Sequence, residues 1–157
     1  KNIDFSKPTI MGILNLTPDS FSDGGKFNKK NKAIKHAIEM LKSGANLIDV
    51  GGESTRPGSK ALDVKLEWSR INKVLKLICK KIPVSLDTRK SEIMKRGIKL
   101  GVKIINDVSG LSYDQKTIDT LKKYRTPFVI QHSKGLPENM QNKPIYKNEL
   151  LDIYDFF

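Results

Sequence analysis

Five short apolar segments of strand length recur along the chain, and each one ends at or near a polar residue. The predicted strands cover residues 9–15, 46–52, 83–88, 103–107 and 127–132. The polar residues near their carboxyl ends are Asn15, Asp49 with Glu53, Asp87, Asn106 with Asp107, and His132. Amphipathic patterns predict helices over residues 31–43, 63–80, 91–100 (with Ser91 as its cap) and 114–124, and a last helix from about 147. Such alternation predicts a parallel sheet with right-handed crossovers.

Two α/β architectures fit this pattern. One is an open doubly wound sheet, which five strands would complete; the other is a closed TIM (β/α)8 barrel. A barrel gathers all five polar strand ends around one mouth, whereas an open sheet leaves the outer strand ends remote from its binding crevice. We therefore predict a TIM barrel, present as a partial barrel of about five βα units. Complete barrels have ~250 residues, so residues 1–157 are predicted to be one C-terminally incomplete domain.

The composition is that of a globular protein, with 38% hydrophobic and 29% charged residues. The sequence shows no apolar run near membrane-span length and no signal-peptide pattern, so we expect no membrane partner. One cysteine, Cys79, excludes a disulfide framework and favours the reducing cytoplasm. The net charge of +12 comes mainly from lysines on the polar faces of predicted helices, without interleaved aromatic residues. We therefore expect a solvated surface and no nucleic-acid partner.

The segment at residues 45–58, ANLIDVGGESTRPG, changes abruptly from an apolar strand to a polar loop. Arg56 offers a planar, five-donor guanidinium that suits phosphate, and Ser54 and Thr55 add hydroxyl groups. The two glycines of the segment would let the backbone approach a ligand closely. A tight βα turn explains any one of these residues, but their concentration in one loop favours a binding site for an anionic group.

Several motifs of the chain resemble those of dihydropteroate synthases. Residues 10–25 (IMGILNLTPDSFSDGG) and 44–58 are similar to the first two signatures of that family, and residues 83–90, 101–110 and 131–141 follow in the family's order. The resemblance implies a magnesium-dependent, cytoplasmic TIM-barrel enzyme of folate biosynthesis that is usually a homodimer and is the target of sulfonamides. It would join 6-hydroxymethyl-7,8-dihydropterin diphosphate to 4-aminobenzoate, releasing 7,8-dihydropteroate and pyrophosphate in an SN1-like substitution.

The resemblance also implies roles for single residues. Asn15 matches the asparagine that contacts the metal ion on the diphosphate. Thr55 and Arg56 match loop residues that meet the diphosphate itself. Asp87 and Asn106 match the pair that binds the pterin edge.

The remaining roles concern the second substrate and the chemistry. The predicted 4-aminobenzoate pocket consists of Phe21, Ser54 and Pro57. Asp49 corresponds to a carboxylate that projects into the pterin pocket. In the family, the metal ion and cationic groups such as Arg56 stabilise the departing pyrophosphate, while Asp49 and Asp87 stabilise the developing pterin cation. Asp107 lies beside Asn106 but on the opposite face of the strand, so we expect it to make a structural hydrogen bond.

Two other functions fit parts of the sequence. A pterin-dependent methyltransferase domain shares the barrel and the Asp–Asn pair, but it should lack the STRPG segment that this chain has. A non-catalytic basic binding module would show salt-dependent affinity for nucleic acid. Because the family's other pyrophosphate-binding residues fall in strands six to eight, we expect this chain to carry about half of the site and not to turn over alone.

Overall fold

The computed structural model describes residues 6–17, 26–56, 58–135 and 144–157. In this part of the chain, strands and helices alternate. The elements are β1 (Met11–Asn15), α1 (Lys26–Lys42), β2 (Leu47–Gly51), α2 (Val64–Ile78), β3 (Val84–Asp87), α3 (Ser91–Leu100), β4 (Ile104–Asp107), α4 (Thr117–Tyr124), β5 (Phe128–Ile130) and α5 (Glu149–Phe156).

The strands form one sheet in the order β1-β2-β3-β4-β5, and every neighbouring pair is parallel. A doubly wound sheet reverses its strand order at a switch point. The described sheet has no such reversal, so it is a segment of a barrel, as the sequence predicts.

Side chains alternate between the two faces of this sheet. The outer face carries aliphatic residues that pack against the helices in one buried core. Its main members are Leu14, Ile48, Val50, Val84, Leu86 and Ile105 from the strands, and Ile71, Leu75, Ile78, Ile93 and Met94 from α2 and α3. The inner face is more polar, because Asp49 and Ser85 are buried there and Asp87 and Asn106 are partly exposed. The inner face therefore carries the candidate functional side chains, and the outer face forms the hydrophobic core.

The start of α3 differs from the sequence prediction. The residue that caps α3 is Lys90, and its side chain makes no capping hydrogen bond, so the predicted serine cap is wrong. The carboxylate of Asp114 accepts the backbone N–H of Ser91 at 2.8 Å and that of Lys116 at 2.9 Å. These hydrogen bonds hold Asp114 in a turn before the helix. Helix α4 therefore begins at Thr117 rather than at residue 114.

Helix α1 and strand β5 also differ from the predicted bounds. Helix α1 begins at Lys26 rather than at residue 31, because apolar periodicity starts only at Ile34 while the preceding lysine-rich segment has adequate helix propensity. Strand β5 is shorter than predicted and lies at the edge of the sheet, with Phe128 and Val129 about half exposed.

Helix α5 packs over the loops that follow β4 and β5. The ring of Phe156 lies edge-on to His132, with 4.9 Å between ring centroids, and Lys134 Nζ lies 3.2 Å from Asp152 Oδ2. Gly110 has φ of +62°, and a Cβ atom there would overlap the Phe156 ring and lie 3.0 Å from the Gln131 carbonyl oxygen. Only glycine fits at this close approach.

Among the described residues, no helix combines the length and the apolar character needed to cross a membrane.

Candidate active site

Strand register places three predicted site residues, from β1, β3 and β4, in one line that passes through Gly51 of β2. Asn15 pairs with Gly51, Gly51 with Asp87, and Asp87 with Asn106. A Cβ atom built on Gly51 would lie 3.2 Å from Asp87 Oδ2 and 3.3 Å from Asn15 Oδ1. The absence of a side chain at Gly51 therefore leaves these two oxygen atoms facing one small space at the carboxyl end of the sheet.

Asp49 lies two residues before Gly51 on the same face, next to this line. Asn106 Nδ2 donates a hydrogen bond to Asp49 Oδ2 at 3.1 Å. Burial raises the pKa of Asp49, and the nearby Ser85 hydroxyl and Asn106 amide lower it only in part. Asn15, Asp49, Asp87 and Asn106 thus form one group, which we call the inner row.

Asp87 is the most perturbed acid of the inner row. Burial, followed by the negative charges of Asp49, Glu67, Asp107 and Glu53, raises the pKa of Asp87 to about 8. At neutral pH its carboxyl group is therefore mainly protonated in the ligand-free chain. A ligand that presents N–H donors or positive charge to Asp87 would favour the carboxylate and release this proton.

The segment that follows β2, residues 52–56 and 58–62, is called the second loop below. Arg70 Nη1 donates to the carbonyl oxygen of Gly52 at 2.9 Å, where the loop begins. Farther along, Ser59 Oγ donates to the carbonyl oxygen of Ser54 at 2.6 Å. Arg56 is exposed at the rim of the sheet, so its guanidinium is accessible to an anionic ligand.

The remaining predicted residues have different positions. Thr55 lies half-buried in the second loop. The Ser54 hydroxyl accepts the backbone N–H of Arg56 at 3.3 Å, so in this structure it shapes the loop. Phe21 and Pro57 lie outside the described residues, and the 4-aminobenzoate pocket assigned to them and Ser54 stays a prediction.

Asp107 has the structural role expected from the alternation of strand side chains. Its Oδ1 accepts hydrogen bonds from the backbone N–H of Ser109 at 2.8 Å and from the Ser109 hydroxyl at 2.6 Å. Asp107 is fully buried and fixes the turn after β4.

Beside the inner row lies a group of buried ion pairs that the sequence analysis missed. We call Glu53, Glu67, Arg89 and Lys90 the ion network. Lys90 Nζ lies 2.6 Å from both Glu53 Oε2 and Glu67 Oε2, and Arg89 Nε lies 2.7 Å from Glu53 Oε1. None of the four side chains is more than 7% exposed. The network joins the second loop, α2 and the segment after β3.

Pairing controls the ionisation of this network. Burial alone would raise the pKa of Glu53, but hydrogen bonds from Lys90 and the Leu62 backbone and the charges of Lys90 and Arg89 hold that pKa below its usual range. Burial would lower the pKa of Lys90, but the two glutamates raise it. Each member of the network thus lies against an opposite charge, and Arg89 Nη1 is buried without a hydrogen-bond partner among the described residues.

One sequence signal could have revealed the network. Glu67 lies four residues before Ile71, on the apolar side of a helix whose other inward residues are aliphatic. A carboxylate on such a stripe must find a buried partner. The pair Arg89 and Lys90, directly after the third apolar strand, supplies the cations.

Comparison with known proteins agrees with this arrangement. A sequence model of the pterin-binding enzyme family matches residues 11–157. The chain is 40% identical over 158 residues to dihydropteroate synthase of Escherichia coli K12, covering 99% of this chain and 56% of that protein. It is 44% identical over 138 residues to dihydropteroate synthase of Bacillus subtilis, covering 87% and 48%. The chain thus spans about half the length of the curated relatives it matches.

Solved structures of dihydropteroate synthases superimpose closely on the chain. The Clostridium difficile enzyme, crystallised in the presence of pteroic acid, has a TM-score of 0.89 at 42% identity, over 99% of this chain and 58% of that one. The Xanthomonas albilineans enzyme with 4-aminobenzoic acid has a TM-score of 0.84 at 36% identity, over 96% and 53%. The chain belongs to the pterin-binding enzyme family.

Proposed function

We propose that this chain carries the pterin- and diphosphate-binding part of a dihydropteroate synthase. The activity is the condensation of 6-hydroxymethyl-7,8-dihydropterin diphosphate with 4-aminobenzoate, which yields 7,8-dihydropteroate and pyrophosphate. The observation that supports it best is the inner row, in which Asn15, Asp87 and Asn106 lie in register beside Asp49. The pteroic acid and 4-aminobenzoic acid complexes of similar enzymes agree with it.

The inner row has the chemistry that a pterin needs. A pterin edge presents several N–H donors, like a guanidine, together with ring acceptors. A carboxylate at Asp87 accepts such donors, and the Asn106 amide offers both a donor and an acceptor. Since Asp87 has a raised pKa in the ligand-free chain, pterin binding would convert it to the carboxylate.

The second loop and Asn15 suit the diphosphate. Arg56 is exposed at the rim and can bind phosphate oxygens through two N–H groups, while Thr55 adds a hydroxyl donor. In the described part of the chain, no three histidine, cysteine or acidic side chains are grouped to hold a metal ion. Magnesium fits this site only as an ion held largely by water and substrate phosphate, with the exposed Asn15 oxygen as a protein ligand. When bound, it would withdraw charge from the diphosphate.

The reaction then depends on charge placement. The bond between the pterin methylene carbon and the diphosphate oxygen breaks, and the amino group of 4-aminobenzoate bonds to that carbon and loses a proton. Arg56 stabilises the leaving pyrophosphate, and the carboxylates of Asp49 and Asp87 stabilise the cationic pterin. It stays a prediction that this chain alone does not turn over. The homodimer, sulfonamide binding and the cytoplasmic location also stay predictions.

Calorimetric titration tests this function. We expect the chain to bind 6-hydroxymethyl-7,8-dihydropterin diphosphate with magnesium, and Asp87→Asn to weaken the affinity by about 100-fold, because a buried charge-assisted hydrogen bond is lost. Asp119→Asn, the same change at an exposed position of α4, serves as the control and should leave the affinity unchanged.

Two outcomes would contradict the proposal. One is a chain that is folded by circular dichroism and binds no pterin diphosphate. The other is an Asp87→Asn variant that binds as tightly as the wild-type chain, since the inner row would then not be the pterin site.

A further inference from the structure

The side chain of Glu53 attaches the second loop to the segment after β3. Glu53 Oε2 accepts the backbone N–H of Leu62 at 2.6 Å, nine residues farther along the chain. The same carboxylate holds Arg89 and Lys90. A single buried group therefore closes the loop on itself and fastens it to the segment after β3.

The partners of Glu53 are themselves held in place. Lys90 is shared with Glu67 of α2, and Glu67 Oε1 accepts the hydroxyl hydrogen of Thr88 at 2.6 Å. The Arg89 guanidinium lies 4.0 Å above the centre of the Tyr113 ring. Glu53 thus bonds to groups that have little freedom to move.

Glu53 and Arg89 each lie close to predicted site residues in the sequence. Glu53 directly precedes Ser54, Thr55 and Arg56, and Arg89 follows Asp87 by two residues. The contact between Glu53 and Arg89 therefore fixes the position of the second loop, which carries Arg56, relative to β3, which carries Asp87.

We propose that Glu53 is a positioning residue that orders the second loop, so that a diphosphate held there and a ring held by Asp87 are bound as one ligand. This inference rests on the proposed function. Glu53 touches no substrate in it and acts through Thr55 and Arg56. Glu67 belongs to the same ion network but makes no bond to the second loop in the described structure, so it provides a matched comparison.

The first measurement needs no ligand. Hydrogen exchange of the Leu62 amide, read by NMR, should be at least about tenfold faster in Glu53→Ala than in wild-type chain, because its acceptor is gone. Glu67→Ala removes a carboxylate from the same network and should leave Leu62 protected. Should either alanine variant fail to fold, Glu53→Gln and Glu67→Gln retain the side-chain volume and are compared in the same way.

The second measurement separates positioning from general stability. Affinities are measured for 6-hydroxymethyl-7,8-dihydropterin diphosphate with magnesium and for 6-hydroxymethyl-7,8-dihydropterin, which lacks the diphosphate. For Glu53→Ala we expect about a tenfold loss for the diphosphate and no loss for the alcohol, because only the former uses the loop. Glu67→Ala should weaken neither affinity.

Three results would be decisive against parts of this proposal. Equal losses for both ligands in Glu53→Ala would make Glu53 a purely structural residue. Unchanged protection of Leu62 in that variant would overturn the ordering of the loop. Wild-type chain that binds neither ligand would overturn the proposed function instead, and the Leu62 exchange would then decide the ordering of the loop by itself.

Discussion

The inner row and the ion network lie side by side at the carboxyl ends of β2 and β3, yet they shift the pKa values of their buried carboxyl groups in opposite directions. Asp49 and Asp87 face other acids and neutral amides, and their pKa values are raised. Glu53 faces Arg89 and Lys90, and its pKa is lowered. Glu53 lies only four positions after Asp49 in the sequence.

The two regions differ in whether a cationic side chain lies close to each buried carboxyl group. In the ion network each glutamate has a cation within 2.7 Å, so the paired charges stabilise the scaffold. In the inner row neither acid has such a partner among the contacts described, so the anionic form of each is disfavoured. The ion network therefore stabilises the fold, whereas the buried acids of the inner row do not. This contrast is common at functional sites.

The largest expected effect comes from breaking the ion network. Lys90→Met removes the cation shared by two buried glutamates and should lower the free energy of unfolding by about 3–5 kcal/mol. Lys95→Met removes a lysine from an exposed pair with Glu92, 3.8 Å apart, and should change it by less than about 0.5 kcal/mol. Urea denaturation measures both. A small effect of Lys90→Met would show that the network does not support the fold.

Removing an acid from the inner row should have the opposite sign. Asp87→Asn should raise the free energy of unfolding at pH 8 by about 2 kcal/mol, because it removes a carboxylate buried near other negative charges; each pKa unit corresponds to about 1.4 kcal/mol, reduced by solvent screening. Denaturation at pH 8 measures this gain. Destabilisation by Asp87→Asn would mean that the carboxylate is already satisfied in the ligand-free chain.

The pH dependence of stability follows from the same shift. The pKa of Asp87 is about 8 in the folded chain, against an ordinary value of 3.8 for an aspartic acid, so the folded state binds the extra proton between these values. The contribution of Asp87 to stability is complete below about pH 4 and is lost as pH rises through 8. The stability difference between Asp87→Asn and wild-type chain should therefore grow from pH 5 to pH 8. A difference that is constant over this range would contradict the raised pKa.

The last comparison concerns two neighbouring glycines, one beside each region, of which Gly51 should have the smaller effect on stability. A Cβ atom at Gly52 would lie 2.7 Å from Ile71 Cγ2 and 3.1 Å from the Glu67 carbonyl oxygen, so Gly52→Ala should destabilise the fold by about 1–3 kcal/mol. At Gly51 the nearest atoms are Asp87 Oδ2 and Asn15 Oδ1, at 3.2 Å or more. Gly51→Ala should therefore cost less than about 1 kcal/mol while weakening pterin diphosphate binding about tenfold. Thermal denaturation and calorimetry separate the two variants, and equal effects on stability would contradict the distinction.

Much of this comparison was predictable from the sequence. The alternation of strands and helices predicts the partial barrel, and the polar residues at strand ends predict Asn15, Asp87 and Asn106 in one mouth. Register could not be read in the same way, because the pairing of Gly51 with Asp87 depends on how neighbouring strands are staggered.

The ion network was harder to predict, for a physical reason. Charged side chains such as Arg89 and Lys90 are mostly exposed in proteins, and here they are buried only because Glu53 and Glu67 reach the same point from two other elements. The start of α3 was mispredicted for a similar reason, because the side chain that accepts the Ser91 N–H belongs to Asp114, 23 residues away in the sequence. Such contacts between distant segments leave little local signal.

The most direct test of the contrast between the two regions is the titration of individual side-chain carboxyl groups by carbon-13 NMR in the ligand-free chain. We expect Asp87 to titrate near pH 8 and Glu53 to titrate below the usual range of a glutamate. The Asp87→Asn variant identifies the first signal by its loss. If Asp87 instead titrates near pH 4, together with the exposed acids, the inner row holds no unpaired carboxyl group poised for a ligand, and the distinction drawn between the two regions is wrong.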